Sequence, residues 1–202
     1  MRFRLLRKGR TFSRMALDEK LAQVLPTLRA PRVLDLGSKR APYRQWLTCE
    51  RFEALDLLPT TGPDLVGDAH RLPLREAAYD AVIATQVLEH CHTPERVVQE
   101  IHRVLKPGGW LVVSVPFVYV IHADPWDFWR FTEYALRHVL APFAEVEVWP
   151  LGNRLTVLWD YFTGHASGLR YLNRALAPLA RALGNNPRSP HGYMALARKA
   201  VS

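Results

Sequence analysis

Four short apolar runs mark out the chain: RVLDLG at 32–37, FEALDLL at 52–58, YDAVIAT at 79–85 and WLVVSVP at 110–116. Each has the length of a strand and is apolar almost without interruption, as expected of strands covered on both faces of a parallel sheet. Helical spacing fills the intervals. Residues 12–28 set Leu17, Leu21, Val24, Leu25 and Leu28 on one face behind a candidate cap, Ser13, which predicts a packing helix. In TPERVVQEIHRVLKPGG (93–109), Thr93 can cap and Pro94 suits the first turn. Val97, Val98, Ile101, Val104 and Leu105 form its apolar stripe, and Pro107, Gly108 and Gly109 are expected to stop it. Strands alternating with helices predict an α/β, doubly wound, mainly parallel sheet with right-handed crossovers. AEVEVW (144–149) alternates like a strand with one wet face, and GYMALAR (192–198) can pair with it as an antiparallel edge.

Between those last two, at about 152–190, Leu172, Leu176, Leu179 and Leu183 recur at helical spacing beside Arg170, Arg174 and Arg181, predicting an amphipathic helical insertion. The expected organisation is a basic N-terminal segment with a packing helix in 1–30, then one catalytic domain over 31–202.

Charge adds a second pattern. The chain has 27 Lys and Arg against 19 Asp and Glu, and the excess lies at its ends. Residues 1–14 and 161–202 each carry six basic residues and no acidic one, leaving 15 basic against 19 acidic residues between them. Such flanks suit an anionic surface, whether membrane lipid, nucleic acid or a phosphorylated substrate; a solvated charged face is the plain alternative. No apolar run reaches the roughly 20 residues of a membrane span, and no secretory signal pattern follows the basic start, so a cytoplasmic protein, peripheral to the membrane if bound to it, is expected. Cys49 and Cys91 are too few for a disulfide framework or a zinc spacing.

The first strand ends at Asp35 and Gly37 and the second at Asp56, nearly 20 residues on, where a carboxylate can accept two hydrogen bonds from a ribose diol. The following stretch is more specific: Asp68-Ala69 before LPL, Tyr79-Asp80 opening the next strand, VLEH behind it, and RVLKPGGWLVVSVP. In order and spacing, residues 31–140 resemble the class I S-adenosylmethionine-dependent methyltransferases, particularly the methyltransferase type 11 group. The resemblance implies a Rossmann-like seven-stranded sheet with an antiparallel C-terminal edge strand and S-adenosylmethionine as cofactor. It implies a first turn at Asp35, Gly37, Ser38 and Lys39, the ribose at Asp56 and Leu57, adenine flanked by Asp68 and Ala69, and Gln86 lining the pocket. Lys39 departs from the family's glycine-rich turn. S-adenosylmethionine has no pyrophosphate, so close backbone approach is less necessary, and Lys39 is a candidate contact for the methionine carboxylate or a plain exposed lysine.

PFVYVIHADPWDFWRFT (116–132) follows the fourth run and mixes aromatic with ionisable residues. It resembles an HxxPxDFxRxT segment of bacterial methyltransferases that accompany glycan-assembly enzymes. His122 is the candidate general base, oriented by Asp124 or Asp127, with His90 the second candidate. Tyr119, Asp124, Trp126, Asp127 and Arg130 are candidate acceptor contacts. For Asp127 and Arg130, three apart, an ion pair pinning the segment is the favoured reading. Glu89 reads as structural, and His90, Cys91 and His92, being consecutive, are not expected to converge on a metal. The expected reaction is methylation of oxygen or nitrogen on a small molecule, sugar or lipid-linked glycan; a non-catalytic binding protein of the same fold is the alternative. Nucleic acid is disfavoured because no RNA-binding module is recognisable, and no feature of the sequence specifies an oligomeric state.

Overall fold

The computed structural model describes residues 10–38, 42–163 and 172–201. Seven strands form one sheet: β1 (Arg32–Leu36), β2 (Arg51–Asp56), β3 (Leu65–Val66), β4 (Tyr79–Thr85), β5 (Leu105–Pro116), β6 (Glu145–Leu151) and β7 (Gly192–Arg198), in the order β3-β2-β1-β4-β5-β7-β6. The pairs from β3 to β5 are parallel, whereas β7 runs antiparallel between β5 and β6. The four apolar runs supply the central strands, and β1, β2 and β4 are buried almost throughout, as their composition requires. β6 forms the edge on its side and exposes Glu145 and Glu147, charges that discourage pairing with another chain.

Helix α1 (Phe12–Val24) buries Leu17, Leu21 and Val24, and a 3-10 turn (Leu25–Thr27) carries Leu25 before Leu28, so the predicted face is buried. Its cap differs: the Thr11 hydroxyl accepts from the Arg14 amide at 3.2 Å, and Ser13 lies inside the first turn. Helix α2 (Pro94–Val104) starts after Thr93, whose side chain makes no capping bond. It stops at Val104, earlier than the Pro-Gly-Gly signal, because Leu105 already pairs with Tyr79 in the sheet. The Pro107-Gly108-Gly109 stretch is then taken up where the β4–β5 register shifts between Tyr79 and Ala81. Helix α3 (Glu133–Val139) is capped by Thr132, whose hydroxyl accepts from Ala135.

The 152–190 region holds α4 (Arg154–Thr163) and α5 (Leu172–Ala182). The Asp160 carboxylate accepts from the Phe12 and Ser13 amides at 3.0 and 2.8 Å, fastening α4 to the start of α1. Asn153 accepts from Leu155 and Thr156 and donates to the Ala180 and Gly184 carbonyls, fastening α4 to α5. Most of the predicted stripe faces outward: Leu172, Leu179 and, just past α5, Leu183 are exposed and Leu176 is half-buried, while Asn173 and Ala177 are buried. Small and polar residues are what admit so close a packing. No helix among the described residues is long and apolar enough to cross a membrane.

Candidate active site

The strand order reverses between β1 and β4, and in an open parallel sheet the crevice opens there, beyond the carboxyl ends of the strands. A cleft of about 230 Å³ occupies that place and is lined by Gly37, Asp56, Leu57, Asp68, Ala69, Gln86 and His90 among others. Gly37 leaves β1 at φ +66°, and its amide donates to the Leu55 carbonyl at 2.8 Å. A Cβ there would stand 2.7 Å from Val87 Cγ2, so this turn admits only glycine without displacement. Asp56 ends β2 with one oxygen accepting from the Leu58 amide at 3.3 Å. Asp68 caps a 3-10 turn, Oδ1 accepting from the His70 amide at 2.8 Å and lying 2.7 Å from His70 Nδ1. The amide bond, above all, holds its carboxyl below the usual carboxylate range; burial opposes it, and the His70 ring adds to the lowering. Both contacts fall on Oδ1.

The sequence reading missed His70, which lines the cleft and stacks on His92 at 4.1 Å; its signal was the Asp-x-His spacing from Asp68. Asp35 does not line the cleft. It is buried, shares a hydrogen bond with Ser38, and burial raises its carboxyl to about 7, so it supports the turn from beneath. Lys39 lies outside the described residues.

Gln86 sits just past β4 at φ +55°, with its amide donating to the Ser114 carbonyl and Nε2 to Ser114 Oγ. It also lines a second cavity of about 200 Å³, with Tyr119, His122, His191 and, from α1, Ser13 and Arg14. Gln86 therefore borders both spaces. The contribution of α1 and His191 had no local sequence signal, because it arises from elements remote in the chain folding over the same sheet end.

The 116–132 segment is held by one ion pair. Both Arg130 Nη atoms reach Asp127 at 2.7 Å, and Arg130 also donates to the Tyr119, Val120 and Trp129 carbonyls. Asp127, its side chain 1% exposed, accepts in addition from the His122 amide at 2.8 Å and lies 3.3 Å from His122 Nδ1. The guanidinium, above all, holds this carboxyl far below the usual range. Asp127 and Arg130 thus serve the segment rather than reaching an acceptor. Of the two carboxylates considered for His122, Asp127 makes the contact. Trp126 is 63% exposed, and its carbonyl receives His90 Nδ1 at 2.6 Å. Tyr119 meets the His122 ring edge-on at 5.3 Å.

Fold and cleft together define a class I S-adenosylmethionine-dependent methyltransferase fold, in which strand-end carboxylates face a nucleoside. The chain belongs to the methyltransferase domain family, whose pattern matches residues 8–113. A malonyl-(acyl-carrier protein) O-methyltransferase of Herminiimonas arsenicoxydans is 35% identical over 107 residues, covering 47% of this chain and 41% of that protein. The chain thus spans about two fifths of the length of that relative. Among solved structures, a putative methyltransferase in complex with the Haloferax volcanii Trm112 activator superposes with a TM-score of 0.63 at 19% identity, covering 92% of this chain and 89% of that one. The (4+2)-cyclase SpnF superposes at 0.62 with 22% identity, covering 94% and 81%. SpnF shares the fold under the name of a cyclase, so the reaction must be argued from the site.

Proposed function

We propose that this chain transfers a methyl group from S-adenosylmethionine to an oxygen or nitrogen of a small-molecule, sugar or lipid-linked glycan acceptor. The observation that carries the reading is that Gln86 lines both the nucleoside-type cleft and the space walled by Tyr119 and His122. The donor set fits the cofactor: Asp56 can accept from both ribose hydroxyls, Asp68 Oδ2 from the adenine amino group, and the Gly37 turn leaves the space that a Cβ would narrow. When bound, S-adenosylmethionine supplies a methyl carbon already activated by its sulfonium sulfur. The protein then needs to align an acceptor with that carbon and manage the acceptor's proton. His90 and His122 meet the nucleophile from the acceptor side, their Nδ1 atoms occupied by carbonyl and carboxylate oxygens. The exposed rings of Tyr119, Trp126, Phe128 and Trp129 offer stacking surface suited to a sugar face.

The outer face of α4 and α5 supports an acceptor presented at an anionic membrane. Leu155, Leu158, Tyr161, Phe162, Leu172, Leu179 and Leu183 are exposed there. The sole acid of the two helices, Asp160, is buried against the α1 amides, leaving as exposed charges Arg154, Arg174 and Arg181, the last paired with Glu19 of α1. Apolar insertion and attraction to anionic lipid add on such a face.

Titration calorimetry with S-adenosylmethionine and its demethylated product tests the central reading. Binding that falls about 30- to 150-fold in Asp56→Ala, the effect of about 2–3 kcal/mol for a lost charged acceptor, supports it. Absence of heat from the unaltered chain would assign it instead to the non-catalytic proteins of this fold.

A further inference from the structure

We propose that Glu89, His90 and His122 form a divalent-cation site at the acceptor end of the cleft. Glu89, in the 3-10 turn after β4 (Leu88–His90), is 0% exposed, and neither carboxylate oxygen has a hydrogen-bond partner from another residue among those described. A carboxylate so enclosed calls for a counter-charge or a proton. The two imidazoles beside it are oriented to supply the first arrangement. His90 Nδ1 lies 2.6 Å from the Trp126 carbonyl oxygen, which can only accept, so Nδ1 carries the hydrogen and Nε2 the lone pair. His122 Nδ1 lies 3.3 Å from the Val120 carbonyl and 3.3 Å from Asp127 Oδ2, which fixes the same tautomer. The two rings meet edge to face with centroids 4.9 Å apart.

One ligand atom from each of the three residues lies within 4.8 Å of the others. Ligands about 2.0–2.2 Å from a tetrahedral cation stand about 3.3–3.6 Å apart, so a pair at the 4.8 Å limit closes by about 1.2–1.5 Å, shared between side-chain rotations of the two residues. The outer shell is in place: a backbone carbonyl behind His90 and the Arg130-clamped Asp127 carboxylate behind His122, the arrangement that orients metal-bound imidazoles. Two nitrogens and one carboxylate suit Zn²⁺, Mn²⁺, Fe²⁺ or Co²⁺, and three protein ligands leave positions open, as in catalytic rather than structural sites.

Its role deepens, and rests on, the methyl-transfer reading. An acceptor hydroxyl in an open position would lose its proton to water more readily, and its oxygen would form the new C–O bond as the C–S bond of the donor breaks, with no change in the oxidation state of the cation.

The test uses the full chain, stripped with a chelator and titrated with CoCl₂ without S-adenosylmethionine, read by calorimetry and by the visible d–d absorption of bound Co²⁺. One equivalent is expected to bind, and Glu89→Gln and His122→Asn should each weaken it about 100-fold. His92→Asn, altering an exposed histidine outside the trio, should leave it unchanged. Circular dichroism establishes that the variants are folded, and His122→Asn, at a partly exposed position, guards against misfolding of Glu89→Gln. Absence of stoichiometric binding, or binding that survives both substitutions, overturns the proposal. If Co²⁺ binds but the demethylated cofactor does not, the cation site stands and the methyl-transfer reading falls. The reverse pattern removes the cation site alone.

Discussion

Replacing Gly37 with alanine separates two physical costs at the cofactor turn. Gly37 and Gly62 share almost the same backbone conformation, φ +66° and +67°, but a Cβ at Gly62 would meet nothing within 4 Å, whereas at Gly37 it would stand 2.7 Å from Val87 Cγ2. Gly62→Ala therefore carries only the left-handed strain, about 1 kcal/mol. Gly37→Ala carries that strain plus displacement of Val87, roughly an ångström inside normal carbon–carbon contact, which adds about 1–3 kcal/mol for an overpacked site. Urea denaturation should show losses of about 1 kcal/mol for Gly62→Ala and about 2–4 kcal/mol for Gly37→Ala. Calorimetry with the demethylated cofactor should show weaker binding only for Gly37→Ala, because Val87 and Gly37 both line the cleft. In a Val87→Ala background the excess should vanish, a coupling that a double-mutant cycle measures directly. Equal losses for the two glycines, or an excess that persists without the Val87 methyls, would refute the reasoning.

Burial lowers His191 to about 4 from 6.5, so unfolding takes up a proton and stability falls as pH drops from 6.5 towards 4. The cost at pH 5 is about 2 kcal/mol, and His191→Gln should flatten that part of the melting-temperature profile between pH 8 and pH 5, with Asp160 at 3.8 Å the nearest carboxylate to control for. Asp127→Asn removes the charge from the acceptor of a bidentate pair and leaves Arg130 bonded to backbone carbonyls without its counter-charge; it should cost about 2 kcal/mol after discounting for the exposed part of Arg130. Turnover should fall while calorimetry shows cofactor affinity retained, since this pair holds the acceptor segment. Vesicle sedimentation should show binding to anionic over neutral lipid, reduced by Leu155→Ser with Phe162→Ser; equal binding to both lipids would remove the membrane reading.

The sequence alone determined the sheet. The runs at 32–37, 52–58, 79–85 and 110–116 could be satisfied only by burial on both faces, and the α2 stripe supplied a cover for them. The order of Gly37, Asp56 and Asp68 along successive strand ends made the nucleoside side of the cleft legible for the same reason, because strand topology converts spacing into proximity. The acceptor side was legible only as a composition. That Asp127 grips Arg130 and that Glu89 is enclosed beside an imidazole 33 residues further along depend on how the 116–132 segment folds back over the end of β4, and that Arg14 and His191 line the cavity beside His122 depends on α1 folding over the same sheet end. The apolar stripe of α5 likewise reads as amphipathic from sequence, but its direction goes with Asn173, buried and bonded to the Trp159 indole and the Arg10 carbonyl, and with Asn153 donating to the Ala180 carbonyl. Local periodicity fixes what a segment must bury. Contacts between distant segments decide which side chains are left facing a ligand, and no local pattern encodes them.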